Sequence, residues 1–189
     1  ADLKGKNVSI GAAGSGVYFN AIDILGAYDM TENDIKPTYQ SFGDSADALK
    51  DEKIDAAFIV AGAPTTAITD LSTSKAAYLV SIDDAHIQKL LEKSKYYSKT
   101  VIPAGTYSTM TTDTTTVAVS AVVIARDDVS EDDVYKFVKD IFDNAPDLVS
   151  SHAKYKELSI EKATSISSVP YHKGAAKYFE EKGVKVTTK

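Results

Sequence analysis

The chain has 189 residues, of which 43% are hydrophobic and 25% are charged, and its formal net charge is −6. These are the values of an ordinary soluble globular protein. The acidic balance, without any block of Lys or Arg, argues against nucleic acid as a partner. The sequence has no cysteine, which excludes disulfides, Cys-based zinc sites, iron–sulfur clusters and thiol nucleophiles. It also has no run of about 18 apolar residues that could span a membrane.

Short strands alternate with helices along the first 95 residues. Apolar or β-branched runs predict strands at residues 8–10, 38–42, 56–60 and 76–82. Apolar spacing predicts helices at residues 17–28 and 44–50, a helix from Pro64 to about residue 71, and a helix that begins at Asp83. Residues 31–34 match a capping box around a single turn. This alternation predicts an α/β fold with a small, mostly parallel sheet flanked by helices and joined by right-handed crossovers.

The pattern changes after residue 95. Residues 95–116 predict a long irregular connection, and residues 117–124 predict a strong strand. Ser130 is the predicted N-cap of a helix that Pro146 stops or kinks. Further helical pieces are predicted at residues 153–158 and 174–182. The lobe is therefore followed by a C-terminal strand and helices.

Two loops follow predicted strands and open helices, which is where anion-binding loops lie. Residues 11–16 have the spacing G-x-x-G-x-G, which is neither the dinucleotide-binding pattern nor a P-loop, so nucleotide binding is disfavoured. Residues 61–66 form the second loop. Because ligands in open α/β sheets bind at the carboxyl ends of the strands, both loops could face one ligand. The alternative for each is a tight connection without a ligand. Tyr18 and Tyr107 are the tyrosines best placed to cover a ligand.

No catalytic or metal-binding pattern is evident. Ser15 does not lie in a nucleophile elbow, because Ala13 and Val17 occupy the positions that need glycine. The three histidines are scattered, and capping of helix starts explains the acidic pairs better than metal ligation does. Arg126 is the only arginine and is expected to be a surface charge. We therefore expect no catalysis, no cofactor and no metal site.

An ordered set of segments resembles the TAXI family of TRAP-transporter solute receptors, which are type II periplasmic binding proteins. The opening, DLKGKNVSIG (2–11), is similar to the start of the second lobe of such proteins. The more specific segments are AAGSGVYFNA (12–21), YQSF (39–42) with ADALK (46–50), IDAAF (54–58) with AGAPT (61–65), IPAGTY (102–107) and PYHKGAAKYF (170–179). The resemblance covers nearly the whole chain.

The resemblance implies an extracytoplasmic receptor, periplasmic or lipid-anchored, that binds a small organic acid or a glutamate-like amino acid and delivers it to a TRAP membrane permease without catalysis. Residues 1–108 would form the second lobe, and residues 109–189 a hinge-crossing strand and C-terminal helices that return to the first lobe. The ligand-binding residues that the motif match implies are Gly14, Ser15, Gly16, Val17, Tyr18, Asn20, Phe42, Ala61, Gly62, Ala63, Thr65 and Tyr107.

Family members begin with most of the first lobe, which this sequence lacks, and we therefore interpret the chain as a fragment. Its affinity for a ligand is expected to be poor, because a two-walled site buries a ligand on both sides. Apolar residues within 117–141 that would pack on the absent lobe are expected to be exposed and to favour a dimer.

Two other functions remain open. The effector-sensing domain of a LysR-type transcription regulator shares the two-lobed architecture, but it would follow a helix-turn-helix segment and would not explain the TAXI-like segments. An enzyme on the same fold, such as a transferase of porphyrin or pyrimidine biosynthesis, would need a nucleophile or a cofactor anchor. Neither loop contains a lysine, and the chain has no cysteine.

Overall fold

The computed structural model describes residues 2–75, 77–166 and 169–189, which form two compact units. The first unit spans Ala1–Ser120 and the second spans Ala121–Lys189. The assignment of residues 1–108 and 109–189 to two different lobes stays a prediction.

The first unit contains five strands and four helices among its described residues. In chain order they are β1 (Asn7–Ser9), α1 (Gly16–Ala27), β2 (Lys36–Thr38), α2 (Phe42–Lys50), β3 (Ala56–Ala57), α3 (Thr66–Ser74), α4 (Asp84–Lys93), β4 (Tyr97–Ile102) and β5 (Thr114–Val119). A 3₁₀ turn at Glu32–Asp34 carries the predicted capping box.

Strand β1 is the centre of a three-stranded parallel sheet with the order β2-β1-β3. Val8 lies opposite Pro37 on one side and opposite Ala56 on the other. Val8 and Ile10 are fully buried and pack in one cluster with Ala21 and Leu25 of α1. The predicted small parallel sheet flanked by helices is confirmed.

A buried pair of serines fastens this sheet to α2. The Ser45 hydroxyl donates to the Ser41 carbonyl oxygen at 2.7 Å. Because a hydroxyl has one proton, Ser9 must be the donor in the 2.8 Å hydrogen bond between the Ser9 and Ser45 hydroxyl oxygens. Both serines are almost completely buried, and the Ser9 hydroxyl depends on Ser45 for its acceptor.

The second and third strands are shorter than the sequence predicts. The strand predicted at residues 38–42 is wrong in its bounds, because β2 ends at Thr38 and Phe42 begins α2. The cause is Ser41, whose hydroxyl accepts from the Asp44 N–H at 3.1 Å and starts the helix there. Of the run predicted at residues 56–60, only Ala56–Ala57 pair with β1.

Pro64 does not occupy the first position of a helix, contrary to prediction. Helix α3 begins at Thr66, and its N-cap is Thr65, whose backbone is extended. The Ala63–Pro64 peptide bond is cis. Pro64 therefore belongs to the loop that precedes the helix.

The predicted irregular connection at residues 95–116 is wrong at its two ends, while residues 103–113 form no helix or strand, as predicted. Strands β4 and β5 form an antiparallel pair in which Tyr97 lies opposite Val119 and Ile102 opposite Thr114. The β-branched threonines favour a strand once cross-strand neighbours are present. The strand predicted at residues 117–124 is therefore displaced and ends at Val119. The strand predicted at residues 76–82 is not formed at 77–82, and Ala76 lies outside the described residues.

The second unit contains four helices among its described residues, α5 (Glu131–Asp143), α6 (Ala145–Ser151), α7 (Ile160–Ala163) and α8 (Lys173–Glu181), with a 3₁₀ turn at Ala153–Glu157. The Ser130 hydroxyl accepts from the Asp133 N–H at 3.1 Å, which confirms the predicted cap. Pro146 lies in the first turn of α6, so α5 ends before it, as predicted. Helices α5 and α8 pack closely, since a Cβ at Gly174 would lie 2.2 Å from the Glu131 carbonyl oxygen.

Residues 121–125 are exposed apolar residues without regular structure. Ile124 is 83% exposed and Val123 is 77% exposed. Dimerisation through this run stays a prediction.

Candidate ligand-binding site

Three loops leave the parallel sheet at the same edge. They follow β1, β2 and β3, and we call residues 10–18, 39–43 and 58–66 the carboxyl edge. The Ile10 N–H donates to the Thr38 carbonyl at 3.0 Å, and the Phe58 N–H donates to the Ser9 carbonyl at 2.8 Å, so the three strands end at one level. Ligands of open α/β sheets bind outside this edge. The structure therefore brings the two loops singled out in the sequence, residues 11–16 and 61–66, to one edge.

The shape of the first loop depends on two glycines. Gly11 has a φ of +82° and Gly14 a φ of +73°, a region that other residues rarely adopt. A Cβ at Gly11 would lie only 2.6 Å from the Cβ of Val17. Ser15 then caps α1, because its hydroxyl accepts from the Tyr18 N–H at 3.2 Å. The exposed loop backbone is thus held close to the first turn of the helix.

Helices α1 and α3 begin at the carboxyl edge without an acidic residue in their first turn. By contrast, Asp44 lies in the first turn of α2, and acidic residues also lie in the first turns of α4 and α5. The first amides of a helix have no intrahelical acceptor, and the helix dipole favours negative charge there. Gly16 and Val17 supply such amides in α1. The predicted residues of the first loop therefore present backbone donors rather than charged side chains.

Tyr107 is hydrogen-bonded to the backbone of the second loop. It lies in the connection between β4 and β5, and only 3% of it is exposed. Its hydroxyl accepts from the Thr65 N–H at 2.9 Å, while the Thr65 hydroxyl donates to the Gly62 carbonyl at 2.7 Å. Residues 61–65 are thereby held by hydrogen bonds at both ends. The structure places Tyr107 at this loop and gives its hydroxyl a backbone partner there. A contact between Tyr107 and a ligand stays a prediction.

Tyr18 joins the first loop to β2 through Glu32. The Tyr18 hydroxyl donates to the Glu32 carboxylate at 2.9 Å, and the Tyr39 hydroxyl donates to the other oxygen of the same carboxylate. These hydrogen bonds raise the pKa of both tyrosines above the ordinary value. Sequence reasoning missed Tyr39 and Phe19 as candidates, although both lie in the matched segments. Their exposure at the carboxyl edge could not be seen from the sequence.

Asn20 has its hydrogen-bond partner elsewhere in the first unit, whereas Phe42 belongs to the carboxyl edge. The Asn20 side-chain amide donates to the Tyr97 hydroxyl at 2.6 Å, and that hydroxyl donates to Asp23 at 2.9 Å. Burial raises the pKa of Tyr97 to about 12. Asn20 therefore ties α1 to β4, while the partly buried Phe42 forms the first residue of α2. The contact of Asn20 is with β4 rather than with the glycine loop.

His86 belongs to a clamp between α1 and α4. Its ring stacks on Tyr28 with the ring centroids 3.7 Å apart, and its Nδ1 lies 2.7 Å from Asp83, the N-cap of α4. The Tyr28 hydroxyl donates to the same carboxylate at 2.9 Å. The hydrogen bonds from His86 and then Tyr28 lower the pKa of Asp83 to about 2. This cluster fastens two helices together.

The remaining candidate groups have simple structural contacts. Arg126 is an exposed surface charge, as predicted, and forms an ion pair with Asp128 at 2.9 Å. His152 and His172 cap helical turns in the second unit. Within the described ranges, no group of three or more His, Asp or Glu side chains could hold a metal ion.

A small parallel sheet flanked by helices is the architecture of a periplasmic-binding-protein-like lobe. Residues 1–183 match the model of the NMT1-like family. The chain therefore belongs to the NMT1-like family, a periplasmic-binding-protein-like family, which indicates solute binding and a non-catalytic role. Among the helices that the structure describes, none has both the length and the apolar character needed to cross a membrane.

Proposed function

We propose that this chain is the ligand-binding part of an extracytoplasmic receptor of a TRAP-type transporter. It would bind a small organic acid or an amino acid at the carboxyl edge and leave it chemically unchanged. The family match carries the solute-binding part of the proposal. The TAXI-like segments of the sequence support the transporter, and the family's typical extracytoplasmic location supports the compartment.

The carboxyl edge supports a carboxylate as the bound group. Two helices begin there without an acidic residue to offset their positive ends. Backbone amides of this kind hold a carboxylate by charge-assisted hydrogen bonds. Since binding at the edge needs no reacting side chain, the site can hold and release a solute without catalysis.

A charge placed at the start of α1 tests the proposal. Gly16 is exposed and lies in the first turn, and a Cβ added to it would meet no atom within 4 Å, so Gly16→Asp should fold. Its carboxylate would repel a bound carboxylate by about 1 kcal/mol or more at 4 Å, which lowers affinity at least about fivefold. Lys173→Asp is the control, because it also adds an acid to the start of a helix, α8 in the second unit. It changes the net charge by two units against one for Gly16→Asp, so a general charge effect would be larger in the control.

The measurement is isothermal titration of the full chain with butyrate, glutarate and glutamate, each also analysed by NMR for turnover. We expect one or more of these acids to bind, Gly16→Asp to weaken the binding, Lys173→Asp to leave it unchanged, and no product to form. Binding by none of them would overturn the proposal, as would conversion of a bound acid.

A further inference from the structure

Three aromatic side chains form a continuous row, of which two belong to the carboxyl edge and the third, Phe19, follows Tyr18 in α1. We call Phe19, Tyr18 and Tyr39 the aromatic row. The Phe19 and Tyr18 ring centroids are 5.4 Å apart with an edge-to-face arrangement, and those of Tyr18 and Tyr39 are 6.3 Å apart. Phe19 is 59% exposed and Tyr39 is 48% exposed. Large aromatic side chains usually bury most of their surface, so Phe19 and Tyr39 form an exposed apolar surface next to the carboxyl-edge loops.

Glu32 holds the two tyrosines of the row in place, and Phe19 packs edge-to-face on Tyr18. The two carboxylate oxygens of Glu32 accept one hydrogen bond each from Tyr18 and Tyr39. The polar ends of both tyrosines are therefore engaged with the protein, and the rings remain as the contact surface. Phe19 has no polar group at all. A row fixed in this way is preorganised for stacking, which reduces the entropy lost when a ligand binds.

The rest of the carboxyl edge is uncharged. Residues 10–18, 39–43 and 58–66 contain no Asp, Glu, Lys, Arg or His. A second carboxylate on a ligand, as in a dicarboxylate or in glutamate, would lose its hydration there without gaining a cationic side chain from these loops. A ligand whose remaining part is apolar would instead pack against the aromatic row.

We infer that the carboxyl edge selects monocarboxylates with an apolar or aromatic body, which stacks on the aromatic row while the carboxylate meets the helix starts. This inference rests on the proposed function and names the substrate class of the same site. A cationic ligand is the competing occupant, since aromatic faces also attract ammonium groups. We favour the apolar body because residues 10–18, 39–43 and 58–66 contain no Asp or Glu that could pair with an ammonium group. The Glu32 carboxylate keeps its negative charge at the tyrosine hydroxyls, so the cationic ligand is a direct competitor in the test below.

Titration of the full chain with 4-phenylbutyrate and glutarate tests the inference. The two acids share a carboxylate and three methylenes. At the other end 4-phenylbutyrate has a phenyl ring, whereas glutarate has a second carboxylate. We expect 4-phenylbutyrate to bind at least about threefold more tightly than glutarate, which lies within the range of free energy that aromatic pairs contribute. Tighter binding of glutarate would overturn the inference and leave the proposed function standing. Absence of binding by every carboxylate would overturn both.

Phe19→Ala locates the binding surface. It should weaken 4-phenylbutyrate roughly two- to tenfold and leave butyrate unchanged, while Phe19→Leu, which keeps apolar area, should have an intermediate effect. The matched control is Tyr96→Ala, because Tyr96 has the same exposure of 59% but lies just before β4. Equal losses for 4-phenylbutyrate and butyrate, or an equal effect of Tyr96→Ala, would overturn the inference. Tighter binding of 4-phenylbutylamine than of 4-phenylbutyrate would do the same.

Discussion

Alanine at Gly11 should destabilise the first unit far more than alanine at Gly14. Both glycines have a positive φ, so each substitution carries the cost of left-handed backbone, roughly 1–2 kcal/mol. Only Gly11 has a second cost. The new Cβ would lie 2.6 Å from the Cβ of Val17 and 2.7 Å from its Cγ1, whereas carbon atoms pack best at about 3.5–4.0 Å.

The magnitude follows from adding these two effects. Overpacking of this kind costs about 1–3 kcal/mol, and relief would require the loop to move away from the first turn of α1. We therefore expect Gly11→Ala to lower the free energy of unfolding by about 2–5 kcal/mol. Gly14→Ala, with no atom within 4 Å of its new Cβ, should lower it by about 1–2 kcal/mol.

Urea denaturation followed by far-UV circular dichroism measures the loss, and amide hydrogen exchange assigns it to the sheet. The informative amides are those of Ile10 and Phe58, which close the ends of the parallel strands. They should exchange faster in Gly11→Ala than in Gly14→Ala. Equal losses of stability at the two glycines would refute the steric part of the reasoning.

Three further predictions concern contacts outside the loop. Ser45→Ala leaves the buried Ser9 hydroxyl without its acceptor and should lower the free energy of unfolding by about 1–3 kcal/mol. In urea denaturation, the double variant with Ser9→Ala should recover part of this loss. No recovery would argue against the hydrogen-bonded pair. The pKa of Asp83 is lowered to about 2 from 3.8, so the ionised carboxylate stabilises the fold above pH 4, and this stabilisation is lost as the pH falls through about 2. Asp83→Asn, which keeps an N-cap, should therefore flatten the fall of Tm between pH 4 and pH 2. An unchanged slope of Tm against pH would contradict this. Gly174→Ala would place a Cβ 2.2 Å from a carbonyl oxygen of α5 and should destabilise the second unit by about 1–3 kcal/mol in thermal melts. Gly26→Ala is the control, because a Cβ at Gly26 meets open space; it should stabilise α1 by about 0.5–1 kcal/mol.

Local signals predicted the elements whose ends are set by neighbouring residues. Ser130 caps α5 and Asp83 caps α4, because a short polar side chain satisfies a nearby helix amide wherever the helix packs. The same reasoning would have shortened the second strand, since Ser41 is followed three residues later by Asp44 and caps α2. That cap is visible in the sequence, but the alternation of residues 38–42 suggested a longer strand.

Cross-strand pairing is the part of the fold that local pattern did not predict. The threonines at 114–116 carry no apolar alternation, and their strand exists because residues 97–102 lie beside them in antiparallel register. Pairs between separate segments contribute as much to a strand as its own residues do. This pairing also carries Tyr107 to the Thr65 amide, a contact between residues 42 positions apart.

The class of fold, the family resemblance and the two loops that open helices after strands could all be predicted from the amino-acid sequence. They depend on periodicity, caps and glycine positions, which act over a few residues. The side chains that those loops present could not be predicted in this way, because they depend on tertiary contacts. The hydroxyls of Tyr18 and Tyr39 go to Glu32 and the amide of Asn20 goes to Tyr97, because hydrogen-bonding groups are satisfied by whichever partners folding brings near. What remains at the carboxyl edge is a row of exposed rings beside uncharged loops, a surface that depends on packing across the whole unit.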